Sequence, residues 1–147
     1  MREELVRQLR GDEGEKSCAY QDHLGYWTIG IGRLVDSRKP GSGLRPREIA
    51  FMLNNDIDDR IAALNQKMSF FSKLDAARQG VLLNMSFQLG VEGLLAFKTT
   101  LGLVEKQQYE EASVQMLKSK WATQTPARAK RLSEQMRTGV WHYTKGT

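Results

Sequence analysis

The chain has 147 residues, 40% of them hydrophobic, and carries a formal net charge of +5. This length permits a buried core without cross-links, but it is too short for two independent domains of usual size. The single cysteine excludes an internal disulfide, and one cysteine with two histidines gives no metal site of known spacing.

The first predicted element is a helix over residues 3–13, and three apolar residues recur on one of its faces: Leu5, Val6 and Leu9. At about 100° per residue, Glu13 falls about 30° from the centre of that face. A carboxyl among apolar side chains loses solvation in its charged form, so its pKa should rise, as a general acid requires. Gly14 follows and is a typical helix stop. The charged N-terminal segment predicts neither a signal peptide nor a membrane anchor.

A β-hairpin is predicted next, over residues 18–32, with its turn at Asp22–Gly25. Asp22 lies in that turn, where water keeps a carboxylate ionised. In the second strand, Thr28 shares a face with two glycines, which leaves room beside it for a substrate or a water. Cys18 is expected to be a small buried apolar residue, because neither histidine lies at the spacing of a catalytic triad.

Two carboxylates with a positioned hydroxyl are what the hydrolysis of a glycosidic bond needs. One acid must protonate the leaving oxygen, while another group helps water attack the sugar. Glu13, Asp22 and Thr28 are each ordinary residues for their positions, but together they indicate this chemistry.

The rest of the chain is predicted to be helical. A connecting helix covers residues 45–64, with Pro46 in its first turn. A more apolar helix covers residues 74–89 and stops at Gly90. Four residues of the second helix are expected inside: Ala77, Val81, Leu82 and Met85. Shorter helices are predicted over residues 92–97, 100–107 and 110–118, and a last helix is capped by Thr125 and ends before Gly139. Residues 37–43, rich in glycine and proline, mark the boundary of a small lobe.

Several blocks of the sequence resemble the phage-type lysozymes, in the same order and over nearly the whole chain. They are Gly11–Gly14, Ala19–Asp22, Gly25–Gly32, Leu74–Arg78, Leu83–Gly90, Ser119–Arg131 and Arg137–Trp141. This resemblance implies a single α+β lysozyme domain over residues 1–147. Its small N-terminal lobe, with a β-hairpin or short sheet, would cover residues 14–44, and the connecting helix residues 45–64. The helical lobe would comprise residues 65–147 together with the N-terminal helix, and the active site would lie in the cleft between the lobes.

The resemblance also implies an endo-acting muramidase that cleaves the β-1,4 bond between N-acetylmuramic acid and N-acetylglucosamine in peptidoglycan, with inversion. Glu13 would be the general acid, Asp22 the base that acts on water, and Thr28 the residue that helps hold that water. Four residues match positions that line the saccharide cleft: Leu34, Phe87, Thr100 and Gln115. Three further candidates lie nearby: Gln88, Lys120 and Gln124. Arg128 matches an arginine that approaches the general acid from the opposite lobe.

By this resemblance we expect no cofactor and no metal. We expect a monomer that acts on bacterial peptidoglycan, binds no nucleic acid and does not insert into a membrane. Such an endolysin waits in the host cytoplasm until a holin permeabilises the membrane. It then reaches the periplasm and the cell wall, where it lyses the host and releases phage.

The sequence departs from the family pattern at three places. Arg33 stands where the family usually has histidine, and its expected partner is Asp56 on the following helix. The segment of residues 36–44 is shorter than the family's connection. Ala122 follows Trp121 where an aromatic residue is more typical, which thins the packing beside that tryptophan.

Three alternatives remain open at this point. A lytic transglycosylase cleaves the same bond and can work with one catalytic acid, so Asp22 and Thr28 argue for hydrolysis instead. A wall-binding protein without activity is disfavoured because all three chemical positions are filled. A nucleic-acid-binding module would use the C-terminal basic residues, which equally suit attraction to anionic envelope polymers or a solvated helix face. They are Lys118, Lys120, Arg128, Lys130, Arg131, Arg137 and Lys145.

Overall fold

The computed structural model describes residues 2–22, 24–35 and 43–143, except for the side chains of Leu5, Leu9, Asp12 and Glu13. The helices in these ranges are α1 (Arg2–Glu13), α2 (Pro46–Lys67), α3 (Ala76–Leu95), α4 (Lys98–Glu105), α5 (Tyr109–Leu117), α6 (Lys120–Gln124) and α7 (Pro126–Thr138). A short 3-10 turn covers Phe71–Lys73, and the strands are β1 (Lys16–Gln21), β2 (Trp27–Gly30) and β3 (Arg33–Leu34). A mostly helical chain with one small sheet confirms the predicted α+β class. The chain divides into two compact units, residues 1–53 and residues 54–147.

The first unit contains α1 and an antiparallel sheet with the strand order β1-β2-β3. Helix α1 ends as predicted, because Gly14 adopts a left-handed φ of 74° and its N–H bonds to the Arg10 carbonyl at 3.1 Å. Strands β1 and β2 confirm the predicted hairpin, and β3 adds a third strand that pairs with β2. The predicted lobe boundary at residues 37–43 lies outside the described residues, apart from Gly43.

Helix α2 begins with Pro46 at its first position, where the missing proline N–H removes no helical hydrogen bond. Its first turn is closed by Glu48, whose carboxylate accepts the Arg45 backbone N–H at 2.7 Å. Apolar residues recur along this helix at three- and four-residue spacing, but they are buried only in its second half. Leu64 is fully buried, whereas Ile49 and Met52 are about half exposed. The observed helix extends three residues beyond the predicted end.

The second unit has one apolar core, which is built mainly on α3. The four residues expected inside α3 are all buried, which confirms that prediction. The predicted stop at Gly90 is confirmed, because this glycine has a non-helical φ of 75° and ψ of 164°. A second helical stretch then reaches Leu95, in the place of the short helix predicted over residues 92–97. The other members of the core are Leu64, Met68, Phe71, Leu74, Leu94, Leu101, Val104, Ala112, Met116, Trp121, Ala122, Ala129, Leu132 and Met136.

The last two helices meet at Thr125, which is the N-cap residue of α7 as predicted but makes no side-chain cap hydrogen bond to it. The Thr125 hydroxyl donates to the Trp121 carbonyl at 2.9 Å, so it closes the end of α6 instead of accepting an N–H of α7. Helix α6 itself was not predicted. The predicted end of the last helix is confirmed, because Gly139 takes a left-handed φ of 70° directly after Thr138.

Two further observations bear on the expectations from the sequence. Cys18 is exposed on β1, so the expectation of a buried cysteine is wrong; the short outer strand leaves this side chain uncovered. In the part of the chain that the structure describes, no single helix is long and apolar enough to cross a membrane. Helices α3 and α4 together reach the length and composition required, but they are bent by 98°.

A buried glutamine ties α7 and the segment that follows it to α3. Gln135 is 2% exposed; its side-chain amide donates to the Ala77 carbonyl at 2.7 Å and its oxygen accepts the His142 N–H at 3.1 Å. The Trp141 ring covers Gly80, where a Cβ would lie 2.3 Å from the ring. These contacts hold residues 135–142 against α3.

Replacement of Gln135 by methionine should lower the free energy of unfolding by about 1–3 kcal/mol, because Ala77 and His142 lose their buried hydrogen-bond partner at similar side-chain volume. Urea denaturation followed by circular dichroism measures the change. Gln66→Met, at an exposed position of α2, is the matched control and should change stability little. Equal stability of the two variants would contradict this role of Gln135.

Candidate active site

Asp22 organises the turn between β1 and β2. Its Oδ1 accepts two backbone N–H groups, from Leu24 and from Tyr26, each at 2.9 Å. Its own N–H donates to the Tyr26 carbonyl at 2.8 Å, and Gly25 allows the reversal with a φ of 83°. The side chain is partly buried. The carboxylate is therefore held by the backbone of the hairpin.

Thr28 lies on the central strand β2 and is only 3% exposed. Its hydroxyl donates to the Tyr26 carbonyl at 3.1 Å. Thr28 pairs with Tyr20 across the hairpin, and Asp22 follows Tyr20 by two residues. Because side chains alternate along a strand, this register directs Asp22 and Thr28 to the same face, about 7 Å apart along the strand direction.

Glu13 is the last residue of α1 and precedes β1 by three positions. Its side chain lies outside the described part of the structure, so its predicted direction toward the apolar face of α1 stays a prediction. Directly after Glu13, Gly14 adopts a left-handed backbone conformation. Arg10 and Glu15 form an ion pair across this helix end, with 3.5 Å between nitrogen and oxygen.

The first unit also contains an apolar groove of about 950 Å³ between the sheet and the first half of α2. Leu34, a predicted saccharide contact, lines it together with Ile29, Phe51 and Met52. Neither Asp22 nor Thr28 is among the lining residues. The groove thus does not include the candidate catalytic groups, although Leu34 pairs with Thr28 across β2 and β3.

Arg33 forms its ion pair with Glu48, on the first turn of α2, so the predicted pairing with Asp56 is wrong. Glu48 is favoured because the same carboxylate also accepts the Arg45 N–H, which fixes it at the start of the helix. The hydrogen bond from Arg33 is the main reason that the pKa of Glu48 is lowered to about 2, and the Arg45 N–H adds to it. The same hydrogen bond raises the pKa of Arg33.

The other predicted saccharide contacts lie in the second unit. Phe87 is half-buried on α3, and the guanidinium carbon of Arg60 lies 5.0 Å from the centre of its ring. Thr100, on α4, is 4% exposed, which leaves little of its side chain accessible to a ligand. Gln115 is half-buried on α5.

A second groove, of about 400 Å³, surrounds Trp121 in the same unit. The indole N–H of Trp121 donates to the Gln88 side-chain oxygen at 2.8 Å, and its ring meets Phe97 edge to face at 6.1 Å between centroids. Lys120 and Gln124 line the groove, and so do four residues that the sequence did not single out: Leu89, Ala96, Phe97 and Ser119. These residues lie between positions 89 and 124 and are brought together by tertiary packing, for which no single local pattern is a signal.

The basic residues near the C-terminus are only partly available to a partner. Arg128 makes hydrogen bonds of 2.9 Å and 2.6 Å to the side-chain oxygen of Asn84. Arg137 pairs with Glu134 at 2.8 Å, and this hydrogen bond lowers the pKa of Glu134. Three lysines are exposed, namely Lys118, Lys120 and Lys130, whereas Lys145 lies outside the described residues.

No group of three or more His, Cys, Asp or Glu side chains in the described ranges is arranged to hold a metal ion. The hairpin face carries a carboxylate and a hydroxyl, and a second carboxyl residue lies at the end of the preceding helix.

The chain was compared with known proteins. The family model described as phage lysozyme matches residues 10–137. Probable T4-type lysozymes 1 and 2 of Dictyostelium discoideum are 32% and 30% identical to the chain, over 90% and 92% of its length and 92% and 95% of theirs. Peptidoglycan hydrolase gp36 of Pseudomonas phage phiKMV is 28% identical over 88% of the chain, which corresponds to 15% of that longer protein.

Glu48→Gln should lower the Tm at about pH 6, because it removes the carboxylate that pairs with Arg33. A carboxyl whose pKa falls from 4.5 to about 2 on folding stabilises the fold above pH 4.5 and loses that contribution as the pH falls toward 2. The Tm difference between wild type and variant should therefore shrink between about pH 5 and pH 2, as measured by thermal denaturation. Asp56→Asn removes a charge from the same helix and should show no such pH-dependent difference in Tm. A pH-dependent difference for Asp56→Asn and none for Glu48→Gln would contradict the pairing with Glu48 and support Asp56 as the partner of Arg33.

Proposed function

Because the chain belongs to the phage lysozyme family, we propose that it hydrolyses the β-1,4 bond between N-acetylmuramic acid and N-acetylglucosamine in bacterial peptidoglycan. Family membership makes it a lysozyme, a glycoside hydrolase. The observation that carries the specific reaction is the hairpin, whose register directs Asp22 and Thr28 to one face. The name of the phiKMV relative, a peptidoglycan hydrolase, supports the choice of substrate.

In this proposal Glu13 is the general acid. It protonates the glycosidic oxygen as the bond to the anomeric carbon breaks, so the leaving sugar departs as an alcohol. The apolar residues predicted on the same face of α1 would keep this carboxyl protonated near neutral pH, because they disfavour its charged form. The helix end at Gly14 gives the residue a fixed backbone position.

Asp22 is the general base. Its Oδ1 is engaged by the N–H groups of Leu24 and Tyr26, so we assign Oδ2 to the attacking water. The water oxygen bonds to the anomeric carbon on the face opposite the leaving group, and its proton passes to Asp22. Thr28 donates its hydrogen to the Tyr26 carbonyl, so its oxygen meets the water as an acceptor and helps orient it. The product is a free reducing end of inverted configuration.

Glycan binding is assigned to the residues that match the family's cleft: Leu34, Phe87 and Gln115. Thr100 matches that cleft too, but at 4% exposed it would support the binding surface from beneath. The groove beside Trp121 supports an extended binding surface, because it combines apolar walls with the polar ends of Lys120 and Gln124. The exposed lysines favour attraction to anionic polymers of the cell envelope, which would make activity sensitive to salt.

We further propose that the protein acts as a monomeric endolysin, as the resemblance to the family implies. It would act in host lysis and phage release, and pass from the host cytoplasm to the cell wall after a holin opens the membrane. The family's description as a phage lysozyme supports this role. Relatives also occur in Dictyostelium discoideum, which is not a phage, so membership by itself does not require it.

Glu13→Gln should reduce the lysis of permeabilised Gram-negative bacteria by about 100-fold or more, because the amide has no proton to give to the leaving oxygen. The fall in turbidity of a cell suspension measures the rate, and circular dichroism verifies that the variant is folded. Intact cells of the same strain should resist the externally added wild-type protein, because their outer membrane separates it from the wall.

The matched control for this variant is Glu4→Gln, which removes a carboxylate at an exposed position of the same helix. It should lyse permeabilised cells at the wild-type rate. Unchanged lysis by folded Glu13→Gln would refute the assignment of the acid.

Asp22→Asn should also lower activity by about 100-fold or more while the hairpin stays folded, since the amide oxygen can still accept the N–H groups of Leu24 and Tyr26. With the wild type, NMR of the first-formed anomer should show inversion, and mass spectrometry of the muropeptides should show free reducing ends. An internal anhydro sugar would identify a lytic transglycosylase, and initial retention would assign Asp22 as a nucleophile.

A further inference from the structure

Arg60 occupies an unusual place for a charged residue, because it lies on α2 one helical turn before the fully buried Leu64. Residues four positions apart share a helix face, so Arg60 extends the face of α2 that carries the core residue. A cation in such a place needs partners that replace its contacts with water. Its side chain is partly buried.

Two partners are found on a single turn of α3. The Arg60 guanidinium donates a hydrogen bond to the Ser86 carbonyl, and its central carbon lies 5.0 Å from the centre of the Phe87 ring. The second distance is within the range of a cation–π interaction, which is stronger when both groups are withdrawn from water. Arg60 therefore holds the backbone and the ring of neighbouring residues together.

The position of this turn explains why a cation suits it. Regular helical geometry is interrupted at Gly90, so Ser86 lies within the last turn before the break. Carbonyl groups at a helix end lack their regular donors and carry the negative end of the helix dipole. A guanidinium on the neighbouring helix supplies both a donor and a compensating charge.

The same turn of α3 leads to the groove of the second unit. Gln88 follows Phe87 and accepts the indole N–H of Trp121, which lines that groove. Residues 86, 87 and 88 thus connect the Arg60 contacts to the surface to which glycan binding is assigned. A change in the orientation of this turn would move the ring and the groove wall together.

We propose that Arg60 is a positioning residue for substrate binding: by its hydrogen bond to Ser86 and its contact with the Phe87 ring, it holds that ring in the orientation that receives the saccharide. The inference rests on the proposed function, because that function assigns Phe87 to the glycan. Arg60 acts through Phe87 and does not take part in the proton transfers.

The test is a double-mutant cycle in which KM and kcat are measured with soluble peptidoglycan oligomers. Arg60→Met keeps the aliphatic stem but removes the charge and the donors, and it should raise KM by about threefold to tenfold with kcat within about twofold of wild type. Arg60→Lys keeps the cation and should restore part of the loss. In the Phe87→Leu background, Arg60→Met should cause no further rise in KM, because the ring through which Arg60 acts is gone.

The matched control is Lys67→Met, which removes one positive charge from an exposed position of the same helix and should leave KM unchanged. An unchanged KM for folded Arg60→Met would overturn the inference and leave the proposed function intact. An equal rise in KM with and without the Phe87 ring would also overturn it, because Arg60 would then act independently of that ring. If Arg60→Met does not fold, Arg60→Ala or Arg60→Gln takes its place. A wild-type KM for either folded variant would also overturn the inference. Inactive wild-type protein would refute the proposed function itself.

Discussion

The pair of backbone hydrogen bonds to Asp22 Oδ1 is the interaction on which the candidate active site depends. These bonds close the turn of the hairpin and at the same time fix the direction of the carboxylate. A side chain that is part of its own turn loses little conformational freedom when it binds water or substrate, which favours a defined geometry for catalysis. The same bonds set the register of β1 against β2, so the position of Thr28 relative to Asp22 follows from them.

The two units obtain their stability by different means. Among the described side chains of residues 1–53, Thr28 is the one that is buried, and several large apolar side chains are exposed, including Leu24, Trp27 and Phe51. Backbone pairing, the Asp22 turn and the Arg33–Glu48 pair therefore contribute much of the order in this unit. The second unit instead buries a continuous apolar core on α3. Local opening is expected to require less free energy in the first unit, because its hydrogen bonds are protected by less apolar packing.

Local signals allowed much of the fold to be predicted from the sequence. The hairpin, Gly14 and Gly139 depend on residues that are close in the chain, and each was predicted correctly. The partner of Arg33 depends on packing: Glu48 and Asp56 are both acidic residues of α2, and only the orientation of that helix against the sheet selects Glu48. The stop at Gly90 is also a local signal, because a glycine with a positive φ ends most helices, and the helix does break at this residue.

The candidate site was predictable to a similar extent. The turn and strand patterns placed Asp22 and Thr28 on one hairpin, and the structure has that hairpin, because its geometry is set within a few residues. The catalytic roles of the two residues stay predictions. Arg60 could not be found in that way, since it follows Asp58 and Asp59 and looks like part of a solvated face in the sequence. Its contacts with Ser86 and Phe87 join residues that are 26 and 27 positions away, and they exist only because α2 packs on α3. The groove around Trp121 likewise joins residues that are distant in the sequence, between positions 89 and 124.

Substitutions in the hairpin and in the helical core are expected to act differently on the fold. The groups assigned to chemistry lie in a turn and a strand whose hydrogen bonds an isosteric replacement such as asparagine for Asp22 can preserve. The groups of the second unit that are assigned to glycan binding, or that lie beside them, belong to the helical core: Thr100 and Trp121 are buried, and Phe87 is half-buried beneath Arg60. A change at these positions alters packing together with binding, because a close-packed core transmits a change of volume to its neighbours. In the proposed assignment, the part of the glycan affinity that comes from the second unit is coupled to the packing of that unit, whereas the proposed base Asp22 can be replaced with little effect on the fold.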